Sequence, residues 1–232
     1  MQTSAQTPLQ APVHAIRVPA AVALRGMPSA RAGLVQVLDK GEELFAEGDN
    51  ADWFYKVVSG AIRTSTLLSD GRRQIGAFHL AGEIFGLEGG AVRRFTAEAL
   101  NAATVVAFRR SRLEPSAYGD AALHGEVLAS TLRSLDRARE HMLLLGRKTA
   151  PERVAAFLLD MADRIAADDG RCEMPRFELP MTRSDIADYL GLTIETVSRT
   201  LSHFVRDGMI RMPAASRCIE LRDRQGLQQL GA

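Results

Sequence analysis

Three polar side chains are spaced so that one helix face would carry them all: Glu195, Ser198 and Arg199, at i, i+3 and i+4. Such a face can read DNA bases, because Arg can donate to guanine O6 and N7 and Glu can accept from cytosine N4. The alternative is an ordinary exposed surface, since Glu–Arg pairs at this spacing are common. The elements that must position these residues favour the first interpretation.

The segment 182–204 predicts two short helices joined by a tight turn. Thr182 and Asp185 suit a capped helix start, and Gly191 provides a turn residue that tolerates positive φ. Thr193 is a natural cap for the second helix. The apolar face expected for that helix consists of Ile194, Val197, Leu201 and Phe204. The pattern indicates a helix-turn-helix, whose second helix would enter the major groove of DNA.

These residues resemble a known family of bacterial regulators. ETVSR at 195–199, after DIADYLGLT at 185–193, is similar to the helix-turn-helix of the CRP/FNR superfamily, in particular its FNR and FixK-like branch. The resemblance extends to ERVAAFLLDMADR (Glu152–Arg164) and GEIFGLEGG (Gly82–Gly90). It therefore covers nearly the whole chain outside residues 1–30.

Composition limits the possible classes. The chain has 232 residues, 46% of them hydrophobic, and a formal net charge of +1. Its length allows one large or two modest domains. No apolar run approaches the ~20 residues of a membrane span and no secretory signal is apparent, so we expect a cytoplasmic protein without a membrane partner. Since the net charge is near zero, DNA binding must depend on where the Arg residues lie.

The two cysteines, Cys172 and Cys218, form neither a CxxC pair nor a disulfide framework. FNR proteins proper hold an iron–sulfur cluster on cysteines near the N-terminus and in the sensory domain, but residues 1–171 of this chain contain no cysteine. We therefore expect no cofactor, with Cys172 in a loop and Cys218 on a half-buried strand.

Short apolar runs separated by glycines extend from about Leu34 to Phe108 and predict strands at regular spacing. Asp70-Gly71 predicts a hairpin turn between two of them. A β-roll or jelly-roll is the economical interpretation, and the family's sensory domain has that fold. A cupin-type metalloenzyme is the alternative. His79 is the only histidine in this region and cannot form a multi-histidine site alone, so we expect neither an enzyme nor a metal.

In cyclic-nucleotide-binding relatives, the segment that resembles Gly82–Glu88 and a following Arg-Ser pair hold the ribose and the cyclic phosphate. Aligning Phe95-Thr96-Ala97 with the relatives' Arg-Ser-Ala places Phe95 where the phosphate-binding Arg stands. Because the phosphate would lose a bidentate contact, we expect no cyclic-nucleotide binding. Glu83 and Glu88 are expected to be solvated loop carboxylates.

After Pro115 the apolar period becomes helical. The expected seam, about five turns long, consists of Leu128, Leu132, Leu135, Ala138, Met142 and Leu145. The alternative is one side of an intrachain core helix. A seam of this length on a helix between two domains fits a two-fold dimer better, as in the family. His141, beside the seam, is expected to be exposed.

A second domain begins after Gly146. The inner face of its first helix is predicted to consist of Val154, Phe157, Leu158 and Met161. This helix would close near Gly170, before a loop that extends to Glu178. After the helix-turn-helix, Met209–Met212 and Cys218–Leu221 predict a hairpin that forms a wing.

The expected fold class is α+β. It comprises an N-terminal β-roll (jelly-roll, cyclic-nucleotide-binding-like) domain, a long dimerisation helix and a C-terminal winged helix-turn-helix domain. The predicted boundaries are a flexible arm at 1–30, the β-roll at 31–115, the dimerisation helix at 116–147 and the DNA-binding domain at 148–232.

The expected function is sequence-specific DNA binding by a homodimeric transcription regulator. The FNR and FixK-like resemblance implies a palindromic TTGAT…ATCAA-like operator, activation through RNA polymerase, and control of low-oxygen respiration, denitrification or nitrogen fixation. It also implies that Glu195, Ser198 and Arg199 are the base-reading positions. Residues expected to contact the DNA backbone are Thr182, Arg183, Thr193, Thr196, Ser202, His203, Arg206, Arg211 and Arg217. Two alternatives remain: a regulator of the same fold that is gated by a small effector, and a β-barrel enzyme with an appended DNA-binding domain.

Overall fold

The computed structural model describes residues 33–114, 121–169, 176–213 and 217–231. The predicted arm at 1–30, Pro115 and Cys172 lie outside these ranges. Within them, no helix combines the length and the apolar character that crossing a membrane requires.

Two four-stranded antiparallel sheets form the first domain. The strands are β1 (Leu34–Leu38), β2 (Glu43–Phe45), β3 (Trp53–Ser59), β4 (Ile62–Leu67), β5 (Arg73–His79), β6 (Ile84–Phe85), β7 (Thr96–Ala99) and β8 (Ala103–Arg109). The strand orders are β1-β8-β3-β6 and β2-β7-β4-β5. Val57, Ile62 and Val105 are fully buried in the cluster that both sheets contribute to. The expected β-roll is confirmed, and a one-turn 3-10 helix follows it at Arg110–Leu113.

β4 and β5 are joined by the hairpin turn that the sequence predicts. The Leu68 N–H donates to the Arg72 carbonyl oxygen at 2.8 Å, and Gly71 has a φ of 85°. Residues with a side chain rarely adopt this φ, which explains the glycine. The turn matters because β5 lies against the second domain.

One long helix, α1 (Ala121–Arg147), leads from the β-roll to the second domain. Its predicted seam is largely exposed, at 61% for Leu128 and 53% for Leu132. Leu143 is outside the predicted seam but is 60% exposed as well. Leu145 differs from the rest, because it is partly buried against the core of the second domain. The described part of the chain therefore leaves most of this apolar stripe uncovered.

The second domain consists of α2 (Ala150–Asp169), β9 (Arg176–Glu178), α3 (Arg183–Leu190), α4 (Ile194–Arg206), β10 (Ile210–Arg211), β11 (Cys218–Leu221) and α5 (Arg224–Gly231). The predicted inner face of α2 is confirmed, since its four members are all buried: Val154, Phe157, Leu158 and Met161. α5 packs against α2, and its Leu227 is fully buried in the same core.

The predicted loop before the helix-turn-helix does not extend to Glu178, because its last three residues form the strand β9. β9 pairs antiparallel with β11, and β11 pairs with β10, so the wing belongs to a three-stranded sheet. A three-residue strand is too short to show an alternating apolar pattern, and only its pairing reveals it. Cys218 lies half-buried on β11, as expected.

The two domains share an apolar core. Phe78 of β5 belongs to the same buried cluster as Phe157 of α2 and Leu190 of α3. Glu83 also lies at this interface, with its carboxylate 3.1 Å from the Arg164 guanidinium of α2. The prediction of a solvated carboxylate at Glu83 is therefore wrong. Its charge is needed where Arg164 is covered by the β-roll, because a buried cation requires a partner.

Candidate nucleic-acid interface

A capping box begins α3, the first helix of the pair. The Thr182 hydroxyl oxygen accepts a hydrogen bond from the Asp185 N–H at 3.2 Å, and the Asp185 carboxylate accepts one from the Thr182 N–H at 2.8 Å. Both contacts satisfy backbone donors that have no partner within the helix. They explain why the helix starts at Arg183.

A left-handed residue ends α3 and sets the path to α4. Gly191 has φ 62° and ψ 40°, and a Cβ placed there would lie 3.5 Å from Leu145 Cδ2. The Thr193 hydroxyl then caps α4 by accepting from the Thr196 N–H at 3.2 Å. The two caps and the turn glycine are as predicted.

The buried face of α4 differs from its prediction at one position. The members that are buried as predicted are Val197, Leu201 and Phe204. Ile194 is 46% exposed, so its place on the buried face is a wrong prediction. It is the first helical residue, and side chains tilt toward the helix N-terminus, so it projects beyond the contact with α3. Thr200 is buried instead, with its hydroxyl donating to the Thr196 carbonyl oxygen at 2.9 Å.

Glu195, Ser198 and Arg199 lie on the outward face of α4. Glu195 and Arg199 are exposed, and Ser198 is half-buried. Ser198 Oγ accepts from Arg183 Nη1 of α3 at 3.2 Å, and Arg199 Nη2 donates to Thr196 Oγ1 at 3.5 Å. The first of these contacts ties the outward face of α4 to α3, while the ends of Glu195 and Arg199 remain accessible.

The charges on this face suit contacts to base edges. The Glu195 backbone N–H and the Thr193 hydroxyl lower the pKa of the Glu195 carboxyl below its ordinary value, and the Arg199 charge acts in the same direction. The carboxylate is therefore ionised at neutral pH and can only accept hydrogen bonds. Arg199 can only donate, so the pair is complementary to cytosine N4 and to guanine O6 and N7.

The predicted DNA-backbone residues are distributed over three elements around this face. Thr182 and Arg183 lie at the start of α3, Thr193 and Thr196 at the start of α4, Ser202, His203 and Arg206 in its later turns, and Arg211 and Arg217 on the wing. Arg211 lies 3.7 Å from the Glu220 carboxylate, and Arg217 Nη1 donates to the Pro180 carbonyl oxygen at 3.2 Å. Both wing cations thus have contacts within the domain. Residues 214–216, between the two wing strands, lie outside the described ranges.

A cavity of about 360 Å³ lies between the β-roll and α1, beside the Gly82–Glu88 segment, and Phe95 forms part of its wall. His79 also lines it and stacks on Phe85, with 4.5 Å between ring centroids. Burial, with the charges of Arg164 and Arg137, lowers the pKa of His79 to about 3. The cavity therefore presents aromatic surface and a neutral imidazole. The described residues contain no cluster of three side chains that could hold a metal ion.

Glu88, the second carboxylate expected to be solvated, is ion-paired inside the β-roll. Its Oε2 accepts from Arg93 Nη1 at 2.7 Å, and the Arg93 side chain is 1% exposed. The prediction for Glu88 is wrong because the sequence does not show that the adjacent loop folds Arg93 back into the core.

His141 is half-buried, contrary to its prediction. Its ring stacks on Tyr189 of α3 with 3.9 Å between centroids, and its Nε2 lies 2.8 Å from the Tyr189 carbonyl oxygen. The contact joins residues 48 positions apart, which a helical period cannot reveal. Burial lowers the pKa of His141.

Known proteins share both halves of this architecture. Residues 152–230 match the Crp-like helix-turn-helix domain, and residues 35–115 match the cyclic nucleotide-binding domain. The nitrogen fixation regulation protein FixK of Azorhizobium caulinodans is 46% identical over 198 residues, covering 85% of this chain and 79% of that protein. This chain belongs to the CRP/FNR family.

Other CRP/FNR proteins extend the comparison. FixK of Rhizobium meliloti is 42% identical over 197 residues, covering 85% of this chain and 87% of that protein. The structure of FixK2 from Bradyrhizobium japonicum aligns with a TM-score of 0.77 at 47% identity, covering 86% of this chain and 98% of that one. The predicted resemblance, the fold and the class are thereby confirmed: the chain is a DNA-binding transcription regulator of the FNR and FixK type, not an enzyme.

One set of contacts between the β-roll and α3 was not predicted. Arg63 and Arg73 of the β-roll donate to Asp185 of α3, and Arg73 also donates to Asp188. The two sides of these contacts are 112 to 122 residues apart. In the sequence, Asp185 shows only a capping pattern, so no local signal points to its partners.

Proposed function

We propose that this chain is a homodimeric activator that binds a palindromic TTGAT…ATCAA-like operator. The observation that carries the proposal is the outward face of α4, where Glu195 and Arg199 are exposed while the opposite face is buried. A helix supported in this way, with its N-terminal turns accessible, fits the major groove.

The proposed contacts follow from the donors and acceptors of this face. A TTGAT half-site contains one G·C pair. Arg199 donates to the guanine of that pair and Glu195 accepts from its cytosine. Ser198, held by Arg183, is small enough for α4 to approach the bases closely. The polar and basic residues around α4 would contact phosphates, which set the register without reading sequence.

Dimerisation is proposed to occur through α1. Leu128, Leu132, Leu135 and Met142 are 45% to 67% exposed along one long helix. A contiguous apolar stripe of this kind is typical of an interaction surface, and a two-fold axis lets identical stripes cover each other. Leu143 is expected to take part as well, whereas Leu145 contributes mainly to the second domain.

The relatives suggest which genes are controlled. Two of them carry the name nitrogen fixation regulation protein. We infer that this chain controls genes of low-oxygen respiration, denitrification or nitrogen fixation. Bound at a promoter, the dimer would activate transcription through contact with RNA polymerase.

Selection of bound duplexes from a random DNA pool tests the operator. We expect enrichment of two inverted TTGAT-like half-sites whose centres lie about one helical turn, roughly 34 Å, apart. Enrichment of single, unpaired sites would contradict a dimeric reader. Recovery of unrelated sequences would contradict the assignment of the α4 face.

A second candidate is the same regulator gated by a small effector. The 360 Å³ cavity favours it, because Leu135 and Ala138 of α1 line the cavity together with the β-roll. A ligand there would contact the proposed dimerisation helix directly. An effector that raises both the melting temperature and the operator affinity would support this candidate. Full operator affinity in effector-free protein would support the first.

A further inference from the structure

A cluster of ions connects the β-roll to the helix-turn-helix. Arg73 of β5 donates from Nη2 to Asp185 Oδ1 at 2.8 Å and to Asp188 Oδ2 at 2.7 Å, and from Nε to Asp188 Oδ2 at 2.9 Å. Arg63 of β4 donates from Nη1 to the same Asp185 oxygen at 2.5 Å. Two strands of one sheet therefore bind one helix of the DNA-binding domain.

The burial of Asp185 and Arg63 distinguishes this cluster from ordinary surface pairs, whereas Arg73 and Asp188 at its margin are 29% and 28% exposed. The Asp185 side chain is 2% exposed and that of Arg63 is 13% exposed. Burial alone would raise the pKa of Asp185, but hydrogen bonds from Thr182 and the charges of Arg63 and Arg73 lower it below its ordinary value. Separation of the two domains would leave the Asp185 carboxylate without a cationic partner, whereas Arg63 would keep Glu98, 2.7 Å away. The docked arrangement is therefore preferred over a partly opened one.

Aromatic contacts support the same arrangement. Phe78 of β5 lies with its ring centroid 5.1 Å from that of Tyr189 on α3 and 6.2 Å from that of Phe157 on α2. His141 of α1 also stacks on the Tyr189 ring. α3 is thus held by the β-roll and by α1, while Glu195 and Arg199 on α4 remain exposed.

We propose that Arg63 and Arg73 are positioning residues for operator recognition, which fix the orientation of the helix-turn-helix relative to the β-roll and the dimer helix. α3 and α4 form a unit, because Ala187 and Val197 are both buried in their shared core. Holding α3 therefore holds α4. We call the contacts of Arg63 and Arg73 with α3 the clamp. In a dimer, the two clamps would set one separation and one angle between the recognition helices. The inference rests on the proposed dimer and its palindromic operator.

The clamp would act through preorganisation. A palindrome demands both helices at a separation of about 34 Å, whereas a single half-site accepts any orientation of the domain. If the DNA-binding domain could reorient freely, binding to both half-sites at once would cost additional conformational entropy. The clamp should therefore increase the selectivity for half-site spacing, and should matter little for a half-site alone.

Arg73→Ala is the main variant, and Arg72→Ala is its matched control. Arg72 is the neighbouring residue with the same charge, and it pairs with Asp70 at an exposed hairpin. Asp188→Ala removes one of the two carboxylate partners of Arg73 without disturbing the cap, whereas changing Asp185 would also break the capping box. Arg73→Lys keeps the charge but loses the forked contact to two carboxylates. Its preference for the native half-site spacing should therefore lie between those of the wild type and Arg73→Ala.

Affinity is measured for the full-length variants on the selected operator, on operators with the spacer changed by one base pair, and on a half-site. One base pair moves the second half-site by about 3.4 Å and rotates it by about 35°. We expect Arg73→Ala and Asp188→Ala to lose roughly tenfold on the native spacing, as is typical of coupling between two sites. On the altered spacings and the half-site they should match the wild type, so the spacing preference shrinks.

Arg72→Ala should keep the wild-type spacing preference. An unchanged spacing preference in folded Arg73→Ala and Asp188→Ala would overturn the inference, as would an equal loss on all duplexes or a gain on the native operator. If the wild type itself ignores spacing, the proposed palindromic dimer fails instead. Thermal unfolding of each variant confirms that it is folded under the binding conditions.

Discussion

Arg93 donates from Nη1 to Glu88 Oε2 at 2.7 Å, and its guanidinium lies 4.0 Å from the centroid of the Phe45 ring. Further hydrogen bonds run from Arg93 to the carbonyl oxygens of Gly86 and Trp53. Arg93, which is buried two residues before Phe95, therefore has all these partners within the β-roll. It cannot replace the phosphate-binding arginine whose position Phe95 occupies.

This arrangement predicts that cyclic nucleotides do not bind. A ligand present at 100 times its Kd would raise the free energy of unfolding by about 2.7 kcal/mol. We expect cyclic AMP and cyclic GMP to leave the melting temperature unchanged, and operator binding to need neither nucleotide nor iron. Micromolar binding of cyclic AMP by calorimetry, or a visible absorption band from anaerobically purified protein, would contradict this.

The α1 stripe predicts a dimer that one charge can dissociate. Leu132→Glu would place an unpaired carboxylate on both sides of the two-fold axis, at a cost of about 3–5 kcal/mol. We choose Leu132 because Leu135 also lines the β-roll cavity. Sedimentation should show a monomer, with the affinity for the palindrome lost. Leu67→Glu is the matched control, since Leu67 is 70% exposed beside the β4–β5 turn, and it should stay dimeric. A dimeric Leu132→Glu protein would exclude this stripe as the interface.

Arg199→Ala should reduce sequence preference rather than general affinity. Loss of a bidentate guanine contact costs about 1–3 kcal/mol at each half-site. The loss should fall on the cognate operator, so the difference between cognate and random duplexes narrows. When the G·C pair of each half-site is replaced, the variant should lose less affinity than the wild type does, because only the contact from Glu195 to the cytosine remains to be lost.

Arg206→Ala is the comparison, because Arg206 is exposed in the last turn of α4 and is proposed to contact phosphate only. It should weaken cognate and random binding by similar factors, and reduce the salt slope by about one phosphate contact per subunit. Binding curves at several salt concentrations separate the two variants. An Arg199→Ala protein that keeps the full wild-type preference for the G·C pair would show that the base-reading face is assigned incorrectly.

The free energy of unfolding should decrease as the pH drops below the pKa of an ordinary histidine. The pKa of buried His79 is about 3, whereas a histidine in the unfolded chain titrates at about 6.5. Below about pH 6.5 the unfolded chain binds a proton that the folded protein cannot, so the free energy of unfolding decreases until about pH 3. The expected loss from this site is about 1 kcal/mol between neutral pH and pH ~5.5.

His79→Gln should remove this contribution, because its side chain cannot titrate while its amide can still hydrogen-bond Thr64, the present partner of His79. Urea unfolding at the two pH values measures the difference. His141, whose pKa burial also lowers, contributes in the same direction and remains in His79→Gln. An equal pH dependence in the wild type and His79→Gln would show that folding does not lower the pKa of His79.

Local patterns in the sequence were sufficient to predict the helix-turn-helix and the outward polar face of its second helix. Thr182 with Asp185, Gly191 and Thr193 are capping and turn signals that act within a few residues, and the structure contains all of them. The apolar periods of α2 and α4 likewise predict buried faces, because a helix must cover one side of itself. Ile194 departs from its period only because it is the first residue of its helix.

Contacts between distant segments were decided by the tertiary structure alone. Glu83 and Glu88 are charged residues in a glycine-rich loop, a pattern typical of solvation, and only folding brings Arg164 and Arg93 to them. His141 is buried because α3 places Tyr189 against it. Such pairings depend on how complete elements dock, and no period within one element records the partner.

Asp185, at the contact between the two domains, has one role that the local sequence determines and another that only the tertiary structure decides. The capping role of Asp185 follows from three neighbouring residues, so the sequence by itself determines where α3 begins. That the same carboxylate also accepts from Arg63 and Arg73 depends on how the β-roll docks against α3. The sequence therefore determined the helix that is proposed to read DNA, and the tertiary structure decided how it is held, because burial and charge pairing act between surfaces that meet only after folding.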